Sequence, residues 1–485
     1  MKNCQGVMSS ECREIARNSK SKLLRSEVET LSHCTDTTWL LPCNKRKRRE
    51  DYTCLYDRIS ELPDDILVTV LSRLTIKEAA RTSILSSRWR YLWKWFNGCL
   101  NFDNPLTMGD YNWTLGLGSQ PLDVERHRFV SWVNQVLRSL HCHSLEGLRI
   151  CFDVASNGDI HNWINFAVEK KVQKLDLDFS RVQDFSWPVA EYTFSPHLDS
   201  YSSFSSLTAL SLNTVAVTGE ALEHLLSCCH FLEVLTVIHS PCLTSLKVSG
   251  PSLRLKYLKL HLVLLQYVEI DAPNIISFEY SGSGIVFFRD VPNLTEVSFD
   301  RFFCTYIMNK LRQLSTILLQ LHTLKLNLAF VSVPEAVPYD LPELCNLKHL
   351  EMEINLFDDD RLLPCAAFLR ACPSLYKFTL KLFRVHPSSG TARTVKDHPY
   401  LSVCELSVRV VELVGFEGQR AETEFVMYLI EKAKLLEKII IDPCIPKYLG
   451  TPKELLYRDS EEYHSARKHA IELGARFPLW DFVIP

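Results

Sequence analysis

The feature that most constrains this chain is a six-residue pattern with apolar residues at its first, fourth and sixth positions. Alternation of apolar and other residues over such a short run is typical of a β-strand with one buried face. Many successive starts lie about 19 to 35 residues apart, which indicates a repeat architecture, although two starts lie closer together and the array is irregular. The pattern begins at Leu145, Val172, Leu207, Leu232, Leu243, Leu255, Ile275, Leu294, Leu321, Leu347, Leu375 and Leu436.

A strand that recurs at this period predicts a solenoid, because one repeat cannot bury its apolar face alone and stacked repeats build a continuous parallel sheet. The residues that alternate with the apolar ones should lie on or near a concave, exposed face. Helical patterns precede some strands, at residues 219–235 and 364–378, whereas the short repeats at 243–299 should lack full helices. The residues predicted on the concave face are Thr208, Ser211, Lys256, Lys259, Thr295, Ser298, Lys325, His349 and Glu351.

A different pattern precedes the repeats, where residues 57–96 predict three short helices. Pro63 suits the first turn of a helix, and the two aspartates after it complement the positive end of the helix dipole. Thr75 and Glu78 form a capping box for a second helix, and one of the two serines before Arg88 can cap a third.

The first of these helices has more apolar surface than its neighbours can cover. At about 100° per residue its apolar side chains fill an arc of roughly 140°. Three short helices in about forty residues cannot close a substantial core alone. The surplus has to be covered by the rest of the chain or by another protein.

These residues resemble the F-box, in the form found in plant F-box proteins with leucine-rich repeats. The match runs from Leu62-Pro63 through Ile66-Leu67, Leu71 and Leu74 to AARTSILSSRWRYLW at 79–93. The resemblance implies that the helices bind the SKP-type adaptor of a cullin ubiquitin ligase and that the repeats hold a target protein. The adaptor-facing residues that it implies are Leu62, Pro63, Ile66, Leu67, Val70, Leu71, Leu74, Leu85 and Trp89. The alternative for any of them is packing among the three helices, and Val70, Leu71 and Trp89 are expected to do both.

The end of the chain departs from the simple repeat. Residues 401–441 predict a strand, a Gly-Phe-x-Gly turn, an amphipathic helix from about Glu422 and a closing strand. They are similar to the FBD module that ends many plant F-box repeat proteins, with matches that include Gly415, Phe416, Gly418 and Glu422. Such a module should cap the open end of the solenoid, and residues 463–477 predict one further charged helix.

The net charge, the lengths of the apolar runs and the cysteine spacing indicate which partners and which cellular compartment to expect. A net charge of -3 gives no global electrostatic reason to bind nucleic acid or an anionic membrane, so neither partner is predicted. No stretch reaches the roughly 18 to 20 apolar residues of a membrane span. The 17 cysteines include no C-x-x-C pair and indicate a reducing compartment, the nucleus or the cytoplasm. Residues 1–56 predict a disordered leader, in which Lys45, Arg46, Lys47, Arg48 and Arg49 form either a nuclear-import signal or a solvated charge run.

No catalytic residue, metal ligand or cofactor is predicted. The two tight His/Cys clusters, at 141–143 and 228–230, lack a second pair at zinc-site spacing, and the acidic triplet at 358–360 lacks the Gly and distal Glu of a calcium loop. Phosphate-binding and hydrolase motifs are absent from the sequence.

The sequence therefore predicts an α/β chain: a small three-helix F-box, an irregular leucine-rich-repeat solenoid with a parallel β-sheet, and an FBD-like cap. The predicted boundaries are a basic leader at 1–56, the F-box at 57–98, a connector at 99–126, the solenoid at 127–400, the FBD-like module at 401–441 and an extension with a helix at 442–485. The expected function is non-enzymatic substrate recognition in an SCF-type cullin ubiquitin ligase. The alternatives are a non-degradative F-box scaffold and a ligand-sensing F-box receptor.

Overall fold

The computed structural model describes residues 59, 61–103, 122–154, 157–180, 192–194, 204–250, 252–300, 315–328, 341–356, 362–384 and 405–485. The chain divides into two compact units, Met1–Asn97 and Gly98–Pro485. The predicted leader, its run of five cations and the acidic triplet at 358–360 lie outside the described residues. None of the helices in the described part is long and apolar enough to cross a membrane.

The first unit contains the three short helices that the sequence predicts. They are α1 (Asp64–Leu71), α2 (Ile76–Arg81) and α3 (Trp89–Leu92), with 3-10 turns at Thr82–Ile84 and Trp93–Trp95. The capping box before α2 is confirmed, since the Thr75 hydroxyl accepts the Glu78 N–H at 3.3 Å and the Glu78 carboxylate accepts the Thr75 N–H at 2.9 Å. The hydroxyl of Ser86 accepts the N–H of Trp89 at 3.4 Å, but Arg88, and neither serine, stands at the N-cap of α3.

The second unit is built on one long parallel sheet. The described strands of the unit are β1 (Cys99–Asp103), β2 (Gly147–Cys151), β3 (Lys174–Asp178), β4 (Ala209–Asn213), β5 (Val234–Ile238), β6 (Ser245–Ser249), β7 (Tyr257–Val263), β8 (Tyr267–Asp271), β9 (Ser277–Gly282), β10 (Ile285–Phe288), β11 (Glu296–Asp300), β12 (Thr323–Asn327), β13 (His349–Leu356), β14 (Lys377–Arg384), β15 (Val410–Val414), β16 (Lys438–Asp442) and β17 (Asp481–Val483). Fourteen of these described strands form the main sheet, in the order β1-β2-β3-β4-β5-β7-β9-β11-β12-β13-β14-β15-β16-β17.

Helices connect many of these strands. They are α4 (Leu122–Ser139), α5 (Asn157–Glu169), α6 (Gly219–Cys228), α7 (Ser315–Leu318), α8 (Ala366–Arg370), α9 (Arg420–Lys432), α10 (Lys453–Arg458) and α11 (Glu461–Ala475). The hexad residues form the core beneath the sheet, as Leu207, Leu210 and Leu212 show with at most 1% exposure. The predicted α/β solenoid with a parallel sheet is therefore confirmed.

Between residues 243 and 288 the described part of the chain contains no helix, and a second sheet takes the place of one. This sheet has the order β10-β8-β6 and is also parallel. Successive coils of about 20 residues each give one strand to the main sheet and one to the second sheet. The closely spaced hexads at Leu243 and Leu255 therefore belong to different sheets, and Phe278 packs edge-on against Phe288 at 5.6 Å between the two layers.

Asparagine side chains join successive repeats at the turns before the strands. The Nδ2 groups of Asn274, Asn293 and Asn346 each donate a 2.7 Å hydrogen bond to a carbonyl oxygen of the preceding repeat. These bonds satisfy carbonyl groups that no strand or helix partner reaches. The turns therefore contribute to repeat stacking through polar contacts as well as apolar ones.

The main sheet extends past the predicted domain boundaries at both of its ends. β1 and the start of α4 lie within the predicted connector at 99–126, so the sheet begins before residue 127. At the other end, β17 pairs with β16 and α11 covers residues 461–475, so the extension after residue 441 continues the same sheet.

Candidate functional site

The helical unit exposes an apolar strip along α1. Ile66 and Val70 lie on one side of the helix, and Leu62 and Leu74 continue the same four-residue spacing in the segments before and after it. Each keeps between 37% and 47% of its side chain exposed. Pro63 beside the strip is exposed, and Leu85 in the turn before α3 is 64% exposed. Six of the nine residues predicted to face an adaptor are thus accessible to one.

The other three predicted residues lie inside the structure. Leu67, Leu71 and Trp89 are 0%, 1% and 5% exposed, and α1 packs against α3 and the turn that follows it. They take the packing role that was the alternative for each position. That Val70, Leu71 and Trp89 also face an adaptor stays a prediction; Leu71 and Trp89 pack inside the unit, whereas Val70 is 47% exposed.

The exposed apolar surface is larger than the sequence indicated. Ile59, Ile84, Tyr91 and Trp95 are each at least 48% exposed, and Ile84 is 85% exposed. They lie outside the helical period of α1, so the periodicity argument did not select them. The spacing of Tyr91 and Trp95 by four residues was the available signal, since it places them on one side of a helix.

The second unit presents the alternating residues of the main sheet, which we call the open face. All nine residues predicted there keep part of their surface exposed, while the hexad residues between them are buried. The register between neighbouring parallel strands decides which side chains of the open face lie next to each other. Lys259 of β7 faces Glu279 of β9 across the ladder, with 2.6 Å between Nζ and Oε2.

Ion pairs between neighbouring strands cover much of the open face. Lys325 pairs with Glu296 at 2.7 Å, and Arg149 lies 3.2 Å from Asp176. Further pairs join Lys377 to Glu412 and Lys381 to both Glu351 and Glu353. The face is therefore a mosaic of both signs, which suits recognition of a complementary protein surface more than attraction of a highly charged polymer.

Partial burial changes the titration of groups on this face. Burial opposes the charged form of Lys325, but the hydrogen bond and the attraction of Glu296 raise its pKa. Burial raises the pKa of the Asp176 carboxyl, and a hydrogen bond from Ser211 and the charge of Arg149 only partly offset that effect. These charges are held in place by neighbouring strands, so a partner meets a largely preformed pattern.

The described residues offer no group of His, Cys, Asp and Glu that could hold a metal ion. The clusters around Cys142 and Cys229 contain buried thiols, and burial raises the pKa of Cys229 to about 12. Such thiols act as small apolar side chains and not as nucleophiles.

Comparisons with known proteins agree with this architecture. A model of the F-box domain matches residues 59–101, and the model of the At1g61320/AtMIF1 LRR domain matches residues 139–469. The chain is thus an F-box protein with a leucine-rich-repeat domain. More narrowly, it belongs to the plant F-box/LRR proteins that carry an FBD module.

Several relatives from Arabidopsis thaliana match most of the chain. F-box/FBD/LRR-repeat protein At5g53840 is 26% identical over 427 residues, which cover 79% of this chain and 88% of the relative. F-box/FBD/LRR-repeat protein At1g78750 is 27% identical over 449 residues, covering 83% and 93%. Putative F-box protein At3g29830 is 28% identical over 469 residues, covering 83% and 94%.

Membership in this family of F-box proteins supports, in general terms, a role for the chain as a substrate adaptor in an SCF-type ubiquitin ligase. Proteins of this family are typically non-enzymatic adaptors.

Proposed function

We propose that this chain is the substrate-recognition subunit of an SCF-type cullin ubiquitin ligase, in which α1 and the Leu85 turn bind a SKP-type adaptor. The observation that carries the proposal is the apolar strip of α1, exposed within a matched F-box. Burying a leucine-sized side chain removes enough apolar surface from water to contribute about 1.5–3 kcal/mol. The four side chains of the strip are already more than half buried, so each contributes less than this when an adaptor covers its exposed part, and together they can still supply a large share of the binding free energy.

The open face of the main sheet holds the target protein in this proposal. Its side chains are fixed by strand register and by ion pairs between neighbouring strands. The chain acts by proximity, because it keeps lysines of the target near the ubiquitin-charged enzyme that other subunits bring. The chain itself contributes binding and orientation.

The test is binding of the full chain to a purified SKP-type adaptor, compared with an Ile66→Asp variant. An unpaired carboxylate buried in the interface costs several kcal/mol, so the variant should bind at least about 100-fold more weakly. Leu456→Asp is the matched control, because Leu456 is 75% exposed on α10 in the other unit. Equal binding by the parent and Ile66→Asp, with both shown to be folded, would count against the proposal.

A second measurement separates ligase function from scaffolding. A target captured by the open face should have a shorter half-life with the parent chain than with Ile66→Asp. If captured targets are equally long-lived with both, the chain is a non-degradative scaffold.

A further inference from the structure

One arginine of the helical unit connects α3 to the segment that precedes α1. The Nη2 group of Arg88 donates a 2.5 Å hydrogen bond to the carbonyl oxygen of Leu62. The same group lies 2.6 Å from Oδ1 of Asp64, and Nε donates to that oxygen at 2.8 Å. A single guanidinium thus joins the backbone before the helix, the first residue of the helix and the start of α3.

The segment that Arg88 contacts is otherwise held by backbone hydrogen bonds at its two ends, one of which runs from the Leu67 N–H to the Pro63 carbonyl at 3.0 Å. Pro63 stands at the N-cap of α1, makes no side-chain cap bond and has no N–H of its own. The Leu62 N–H donates to the Ile59 carbonyl at 3.1 Å, which closes a turn on the outer side of the segment. The Leu62 side chain is part of the apolar strip, so the position of this backbone decides where the strip begins.

We propose that Arg88 is a positioning residue, which holds the Leu62-Pro63 segment in the geometry that a SKP-type adaptor binds. This inference rests on the proposed function. Without the guanidinium, the segment would sample other backbone conformations, and only a fraction of molecules would be competent to bind. The apparent Kd rises by the reciprocal of that fraction.

The test compares adaptor binding by Arg88→Ala and Arg90→Ala, with purified SKP-type adaptor as the probe. Arg90 belongs to the same Arg-Trp-Arg run and carries the same charge, and its exposed side chain lies two residues away. Arg88→Ala should raise the Kd by about three- to tenfold, and Arg90→Ala by less than about twofold. The pair is partly exposed, so the gap between parent and Arg88→Ala should narrow as salt rises from about 0.05 to 0.5 M.

Local exchange and a mutant cycle separate positioning from general stability. Amide hydrogen exchange over residues 59–67 should speed up in Arg88→Ala while the helical circular dichroism stays unchanged. In a cycle of Asp64→Ala and Arg88→Ala, the losses in affinity should be less than additive because both variants remove the same contact. If Arg88→Ala does not fold, Asp64→Asn replaces it and should raise the Kd by about two- to fivefold.

The outcomes distinguish this inference from the proposed function. Parental affinity in Arg88→Ala or Asp64→Asn, or fully additive losses in the cycle, would overturn the positioning role. Failure of the parent to bind, or parental binding by Ile66→Asp, would instead overturn adaptor binding itself.

Discussion

Replacing Glu422 with glutamine should lower the free energy of local opening at the C-terminal end of the sheet by about 3–5 kcal/mol, the usual cost of breaking a buried ion pair. Glu422 is the third residue of α9 and is fully buried. Its Oε2 accepts the backbone N–H groups of residues 417, 418 and 419 at 2.9, 2.8 and 3.0 Å. Its Oε1 accepts a 2.8 Å bond from Nη2 of Arg384 on β14. A glutamine amide has one oxygen, so its NH2 group must face one of these two sets of donors.

The assay is amide hydrogen exchange of residues 417–419, together with urea unfolding of the full chain. A loss of about 3 kcal/mol in the local opening free energy speeds exchange by more than about 100-fold. Glu424→Gln is the matched control: Glu424 lies on the same helix and pairs with the exposed Arg420 at 2.6 Å, a contact worth at most about 0.5 kcal/mol. If Glu422→Gln lowers stability no more than this control, the buried carboxylate is not what fixes the turn before α9.

Three further predictions concern stability and reactivity. Hydrogen bonds from the backbone N–H and hydroxyl of Thr75 hold the pKa of Glu78 below its ordinary value. These bonds therefore stabilise the fold at pH values above the ordinary pKa of a glutamate, and this stabilisation is lost as the pH falls through the folded-state pKa. Between about pH 6 and 3 the thermal midpoint should fall further in the parent than in Glu78→Gln. Burial raises the pKa of Cys365 to about 12, so a maleimide at about pH 8 should label the exposed Cys345 and leave Cys365 unmodified until the chain unfolds, as mass spectrometry can show. Leu67→Ala should lower the free energy of unfolding by about 2–5 kcal/mol, whereas Ile66→Ala should leave it within about 1 kcal/mol of the parent and weaken adaptor binding, as measured by urea titration and calorimetry.

Local pattern was enough to find twelve strands of the solenoid. Each of the twelve predicted hexads contains a strand that begins two residues after the first apolar position, as at Leu207 and Ala209. Alternation of buried and exposed residues is a property of the strand itself, so it is readable without knowledge of the fold. The same holds for the capping box at Thr75, because its donors and acceptors lie within one turn of helix.

The second sheet could not be predicted in this way. The segment LQYVEI, from Leu265 to Ile270, fits the hexad and forms β8, but it begins only ten residues after Leu255. A strand so close to its predecessor cannot be the next rung of the same parallel ladder, because a crossover needs a dozen or more residues. Coil length, and not the hexad, assigns such a strand to the opposite layer.

The candidate adaptor face shows a second limit of the same kind. Periodicity gave α1 an arc of roughly 140°, and that arc serves two surfaces. Leu67 and Leu71 occupy the part that packs on α3, while Ile66 and Val70, one position earlier in each case, remain exposed. Which apolar residues of α1 are buried depends on the position of Trp89, which the turn between α2 and α3 determines. Helical spacing alone does not predict that position, because it is a feature of the tertiary structure. If the whole arc were buried, α1 would have no apolar surface for the proposed adaptor. If the whole arc were exposed, the three helices would have no core. The excess width of the arc is therefore what allows so small a unit both to fold and to bind.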